Sequence, residues 1–109
     1  MSASIVLAAD DPAHLARFYG ALLEVETQPG PSTSHWRLPW PAGGWLEIYA
    51  PLRSRPQPQQ LGRLALCLQR KADGTDTVAL LNIWMEEAQG LGASAGDPEG
   101  NRLLLLVLP

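Results

Sequence analysis

Apolar residues repeat at helical spacing near the start of the chain. In segment 12–25 they fall at i, i+3, i+4 and i+7 and form one stripe, which consists of Leu15, Phe18, Tyr19 and Leu22. Asp11 precedes this segment as an N-cap, and Pro12 suits the first helical position because its missing N–H would have no partner there. The pattern predicts a first helix, and the apolar run at 3–9 before it predicts a short buried strand.

Alternation of side-chain character predicts strands further along the chain. In segment 45–49 successive side chains point to opposite faces, with Trp45, Glu47 and Tyr49 on one face and Leu46 and Ile48 on the other. Segment 63–69 alternates in the same way, with leucines on one face and Arg63, Ala65, Cys67 and Gln69 on the other. Weaker patterns predict two further strands, around 25–28 and 35–40.

The second half of the chain contains a linker, a second helix and a closing strand. Prolines break any regular ladder in 51–62 and mark that segment as the linker. Segment 77–89 predicts a helix that stops at Gly90, with an apolar stripe of Val78, Leu81, Met85 and Ala88. A tight turn at 97–101 leads into the aliphatic segment 102–108, which predicts the last strand.

Each half of the chain begins with a strand followed by a helix. The predicted order is β-α-β-β-β, then the linker, and then β-α-β. This repeat of a strand followed by a helix is the main indication of the topology of the chain. It predicts strands and helices in one mixed domain, which is an α+β fold.

Length, charge and cysteine usage restrict the classes of function. The 109 residues suffice for one core and are too few for two independent ones. The net charge is −3 and the basic residues are scattered singly, so no basic stripe is present for nucleic acid. A single cysteine, Cys67, excludes an internal disulfide and fits a reducing compartment. No apolar segment approaches the ~20 residues of a membrane span, and the start lacks a signal-peptide pattern, so we expect a cytoplasmic protein.

Four segments of the chain resemble the vicinal oxygen chelate superfamily, which includes glyoxalase I, bleomycin-resistance proteins and extradiol dioxygenases. They are "DDPAHLARFYGALLEVE", "WLEIYAP", "GRLALCLQ" and "DPEGNRLLLL", in the order that the family has. The resemblance implies paired βαβββ modules at 1–50 and 63–109, joined by the linker 51–62, whose mixed sheet forms a cup. It also implies a homodimer. Because "LGASAG" stands where the family has two more strands, we expect a shortened second module.

The resemblance also gives four metal-ligand positions, which fall on Ser4, Glu47, Arg63 and Leu104 in this chain. Divalent transition metals need several nitrogen, oxygen or sulfur donors in a fixed geometry. Glu47 alone is a good ligand, since Leu104 has no donor atom and Arg63 stays protonated. We therefore expect neither a metal nor another cofactor.

Without a metal, the same positions are expected to contact an organic ligand. The resemblance places Glu47 and Arg63 in the cup from facing modules, where they form either ligand anchors or a salt bridge that joins the two halves. Trp45 and Tyr49 share the face of Glu47, and flat rings beside a carboxylate suit a planar or cationic ligand, or else fill a core or a dimer interface. The candidate ligand contacts are Glu47, Arg63, Trp45, Tyr49, Cys67 and Ser4.

The sequence predicts a metal-free protein that holds a small organic molecule in an aromatic cup, without a membrane or nucleic-acid partner. His14 is expected in the first turn of the first helix and His35 in a loop or strand, so neither supports a catalytic triad. Two alternatives stay open. One is a metal-dependent lyase or dioxygenase with a rearranged site that uses Glu47 and a histidine from elsewhere, and the other is a non-catalytic dimeric interaction module with a collapsed cup.

Overall fold

The computed structural model describes residues 3–40, 43–51, 65–94 and 96–109. The helices and strands of these residues are β1 (Ser4–Ala8), α1 (Pro12–Leu23), β2 (Gln28–Pro29), β3 (His35–Pro39), β4 (Trp45–Tyr49), β5 (Ala65–Lys71), α2 (Thr77–Gly90) and β6 (Arg102–Leu108). The chain divides into two compact units, Met1–Gln57 and Pro58–Pro109. The mixture of helices and short strands confirms the predicted α+β fold. Neither helix in the described segments is long and apolar enough to cross a bilayer.

The described part of the first unit is a sheet with α1 on one face. The strand order is β1-β4-β3-β2, with β1 parallel to β4 and the other neighbours antiparallel. α1 contacts β3 and β4, and its predicted stripe is buried. Within that stripe the rings of Phe18 and Tyr19 meet edge to face, with centroids 5.0 Å apart. The prediction of the first helix and its core face is confirmed.

The strand predicted at 25–28 is wrong in its bounds. β2 consists of Gln28–Pro29 alone, and Val25 completes the end of α1 instead. Glu24 adopts a left-handed backbone with φ 57°, and the N–H of Val25 donates to the carbonyl oxygen of Gly20 at 3.0 Å. This helix ending satisfies carbonyls that the last turn leaves free, and it uses residues that the sequence pattern assigned to a strand.

The β3–β4 hairpin determines which side chains share a face of the sheet. Leu38 lies opposite Leu46, and both side chains are fully buried. Arg37 lies opposite Glu47 on the other face, where both side chains are half-buried. Because strand side chains alternate with a period of two, the buried leucine pair sets the face of every neighbour along the hairpin.

Gly44 allows β4 to begin close to the backbone of Ala3. Its φ is +82°, and a Cβ at this position would clash with the carbonyl oxygen of Ala3, which accepts the N–H of Trp45. We expect Gly44→Ala to lower the free energy of unfolding by about 2–3 kcal/mol, measured by urea denaturation. Gly43, with φ +106° and open space around it, is the matched control. Gly43→Ala should cost only the backbone strain of about 1 kcal/mol, so equal losses would contradict the steric argument.

The described part of the second unit consists of α2 and the parallel pair β5–β6. The pair is in register from Ala65 opposite Arg102 to Lys71 opposite Leu108. Leu66 and Leu68 are buried and Cys67 between them is exposed, as alternation predicts. The described residues of this unit contain two strands, β5 and β6, and the division of the chain into two modules stays a prediction. The homodimer stays a prediction.

α2 buries a different stripe from the one that the sequence predicts. Val78 and Met85 are 64% and 44% exposed, so their assignment to the core is wrong. Trp84 is 2% exposed instead, and Ala88 is buried as predicted. Burial of an indole removes more apolar surface from water than burial of valine or methionine, which favours the helix rotation that turns Trp84 inward.

The turn before β6 is closed by backbone hydrogen bonds between its two ends. The N–H of Asp97 donates to the carbonyl oxygen of Asn101, and the N–H of Gly100 donates to that of Asp97, both at 2.9 Å. Gly100 has φ +87°, a conformation that glycine adopts without steric cost. The predicted turn is confirmed, and it leads directly into β6.

Candidate functional site

A carboxylate with two basic neighbours lies on the half-buried face of the first-unit sheet. The Oε1 atom of Glu47 is 3.2 Å from Nε2 of His35 and 3.3 Å from Nε of Arg37. β4 supplies Glu47, and the antiparallel register with β3 brings the two bases to it. The side chains of Glu47 and His35 are each 21% exposed, and that of Arg37 is 33% exposed.

Arg37 also covers an aromatic ring. Its guanidinium carbon lies 4.1 Å from the centroid of the Trp45 ring, which is a cation–π contact. The Nε atom is shielded from solvent but makes no directed hydrogen bond, so its contact with Glu47 is an ion pair without hydrogen-bond geometry. We call His35, Arg37, Trp45 and Glu47 the Glu47 cluster.

The Glu47 cluster leaves polar atoms available for a ligand. The described residues make no hydrogen bond to the Nη groups of Arg37 or to the Oε2 atom of Glu47. Partly exposed ion pairs contribute only about 0–1 kcal/mol to stability, because water screens them. The cluster therefore contributes little to folding, while its free donors and acceptor lie at a half-buried surface where a ligand can reach them.

The residues that the sequence predicts for the site are distributed over both units. Trp45 and Tyr49 share the face of Glu47, as alternation predicts, and Ser4 is exposed on β1 opposite Trp45. Cys67 is exposed on β5 in the second unit, opposite Leu104 of β6. Arg63 lies outside the described residues, so a pair between it and Glu47 stays a prediction.

Two members of the Glu47 cluster are not among the residues that the sequence predicts for the site. His35 and Arg37 fall two residues apart on β3, so their side chains share one face. The signal was present as the alternation of polar 35 and 37 with apolar 36 and 38. Their partner on β4 could be identified only from the hairpin register.

An apolar cavity of about 220 Å³ lies in the second unit between α2 and β6. Leu81 and Met85 contribute to it from the helix, and Leu103 and Leu105 from the strand. Ser94 adds one hydroxyl group, and no charged residue lines it. Among the described lining residues this cavity offers one side-chain hydroxyl and no charge to orient a ligand, so it is a weaker candidate for a specific site than the Glu47 cluster.

Solved structures share the fold of this chain. A protein from Agrobacterium tumefaciens with a solution structure is 17% identical and matches 97% of this chain and 95% of its own, with a TM-score of 0.65. A glyoxalase/dioxygenase from Nostoc punctiforme is 15% identical over 100% of this chain and 91% of its own (TM-score 0.62). A lactoylglutathione lyase from A. tumefaciens is 17% identical over 94% of this chain and 89% of its own (TM-score 0.57). The chain has a glyoxalase/dioxygenase-like fold.

At these identities the likeness shows the glyoxalase/dioxygenase-like fold alone. No protein-family model matches the chain, and no curated protein matches it. Chemistry must therefore be argued from the side chains, because proteins with the same fold differ widely in activity.

The described residues do not fit the metal site that the glyoxalase/dioxygenase-like fold implies. Ser4 offers an exposed hydroxyl and Leu104 an aliphatic side chain that is 56% exposed. The guanidinium of Arg37 holds a positive charge 3.3 Å from the carboxylate of Glu47, where a metal ion would meet repulsion. In the described segments no three His, Cys, Asp or Glu side chains converge.

Proposed function

We propose that this chain is a member of the vicinal oxygen chelate superfamily that binds a small organic molecule without a metal ion. The ligand would lie on the sheet face that carries the Glu47 cluster. The main support is the position of Arg37, which occupies the cation position both at the Glu47 carboxylate and on the Trp45 ring. Such a site supplies capture by charge and hydrogen bonds.

A metal-dependent lyase or dioxygenase is the second candidate, and one observation favours it. His35 and Glu47 are neighbours, with Nε2 and Oε1 at 3.2 Å, so an imidazole and a carboxylate could share an ion. Catalytic zinc sites use three protein ligands, however, and these are two. The positive charge of Arg37 beside the same oxygen also opposes a cation. Both facts favour the metal-free candidate.

The two candidates differ in metal content and in ligand response. We expect the untagged, purified protein to contain far less than one equivalent of zinc, nickel, manganese or iron by mass spectrometry. We also expect its tryptophan fluorescence to respond saturably to at least one member of a panel of aromatic acids, amides and amines. Trp45→Phe should remove that response, because Trp45 is the tryptophan in contact with Arg37.

Two results would overturn this proposal in different ways. One equivalent of metal that is lost in Glu47→Gln would establish the metal-dependent candidate. The absence of a saturable response to the whole panel would remove the binding function and leave the interaction module.

A further inference from the structure

The guanidinium of Arg37 is held from two sides and is open on a third. Glu47 lies at its Nε atom, and the ring of Trp45 lies beneath its plane. The outer Nη groups make no hydrogen bond in the described part of the chain. A guanidinium fixed in this way presents two parallel N–H donors, which is the geometry that matches a carboxylate.

The charges around Arg37 decide between anionic and cationic ligands. Glu47 offsets the charge of Arg37, and His35 adds either no charge or a positive one, so the cluster carries between 0 and +1. The residues in register on the flanking strands, Val6 opposite Glu47 and Gln28 opposite Arg37, are uncharged. At most one positive charge is uncompensated, so a monoanion bound at the guanidinium suits the cluster better than a dianion such as phosphate, whose second charge would face Glu47 without a partner.

The stacking contact changes the ligand charge that is expected beside the aromatic residues. Flat rings beside a carboxylate suggested a planar or cationic ligand. In the structure the protein's own cation covers the ring of Trp45, at 4.1 Å from its centroid. A cationic ligand would meet an occupied ring and a positive neighbour, so the favourable charge for a ligand at this place is negative.

We infer that the Glu47 cluster recognises a monocarboxylate group, which the Nη donors of Arg37 bind in a bidentate manner. This inference rests on the proposed function and names the class of ligand for the same site. Glu47 and Trp45 act as positioning residues: the first directs Nε and the second supports the plane of the guanidinium. His35 contacts the same carboxylate oxygen of Glu47 through its Nε2 atom at 3.2 Å.

The test uses three probes of matched shape, namely benzoate, benzamide and benzylamine, with inorganic phosphate as a fourth. Binding is measured from the NMR signal of the Arg37 Nε–H, which reports on the guanidinium whatever the probe does to tryptophan fluorescence. We expect benzoate to bind at least about tenfold more tightly than the other three, since hydrogen bonds to charged groups are worth about that factor or more.

Variants at Arg37 test whether the paired N–H donors of its guanidinium cause the preference for benzoate. Arg37→Gln should remove the preference for benzoate over benzamide. Arg37→Lys keeps the positive charge but lacks the paired N–H donors of a guanidinium. It should therefore retain only part of the preference for benzoate. Arg70→Gln removes a guanidinium that lies over the Trp84 ring in the second unit. It is the control that should leave the preference unchanged, and circular dichroism of each variant checks that it folds.

The outcomes separate this inference from the function on which it rests. Equal affinity for benzoate and benzamide, tighter binding of benzylamine or phosphate, or no shift of the Arg37 signal with benzoate would overturn the carboxylate inference. If a neutral or cationic member of the fluorescence panel still binds, the proposed function stands without it. If no panel member binds either, both fail.

Discussion

Asp97→Ala is expected to lower the free energy of unfolding by about 3 kcal/mol or more. The side chain of Asp97 is 3% exposed. Its Oδ1 accepts the backbone N–H groups of Glu99 and Asn101 at 2.9 and 3.0 Å, and its Oδ2 accepts the side-chain Nδ2 of Asn101 at 2.8 Å. Alanine leaves these donors without their acceptor, and each unsatisfied group at a buried site costs about 1–3 kcal/mol.

Asp76→Ala is the matched control for this change, because it removes an aspartate that also accepts a backbone N–H in the second unit. Asp76 caps α2 by accepting the N–H of Val78 at 2.9 Å, but it is exposed. Loss of such a cap costs about 1 kcal/mol. Urea denaturation of both variants measures the difference. If the two losses are equal, burial and the second oxygen of Asp97 contribute nothing, and the turn is not built as described.

The turn at 97–101 shows how much of the fold is readable from local sequence. Asp97, Gly100 and Asn101 each act on groups within four residues, so their types alone predict the turn. The same holds for α1, whose cap and stripe are both local. Such elements could be predicted from the sequence because the interactions that form them do not depend on distant parts of the chain.

The stripe of α2 could not be predicted because two rotations of the helix each bury apolar residues. Val78, Leu81, Met85 and Ala88 form one stripe, and Trp84 forms another that shares Ala88 with the first. The spacing of apolar residues does not indicate which of the two stripes is buried. The element against which the helix packs determines the buried stripe. Here α2 contacts β6, and Trp84 is buried. Arg70 lies over the Trp84 ring at 5.9 Å from its centroid, a contact between elements that no local pattern contains.

The candidate site was predicted in part for the same reason. Glu47, Trp45 and Tyr49 follow from alternation within one strand, which is a local pattern. His35 and Arg37 join them only through the register of β3 against β4. The hairpin closes through backbone bonds between Trp40 and both Gly43 and Gly44, so a register argument centred on these glycines would have paired position 37 with 47. Without that register, the resemblance alone predicts a charge partner for Glu47, and that partner is Arg63 in the other half of the chain.

Leu46→Ala is expected to lower the free energy of unfolding of the first unit by about 3–4 kcal/mol. Leu46 is fully buried, lies opposite Leu38 in the hairpin, and precedes Glu47 on the other face of the same strand. Truncation of a fully buried leucine removes its burial free energy and leaves a cavity, which together cost roughly this amount. Val6→Ala is the control: Val6 is 59% exposed in the same sheet, so about 0.5 kcal/mol is expected.

Leu46→Ala is also expected to loosen the two strands that carry the Glu47 cluster, and hydrogen exchange measures this effect. One buried leucine pair holds the register that brings Arg37 to Glu47, because a shift by one residue would turn the charged side chains toward the core. We therefore expect amide hydrogen exchange in β3 and β4 to become at least about 100-fold faster in Leu46→Ala, since each 1.4 kcal/mol is a factor of ten. Unchanged exchange in these strands, or a loss of stability no larger than in Val6→Ala, would show that the leucine pair does not fix the hairpin. Another interaction would then have to hold Arg37 beside Glu47.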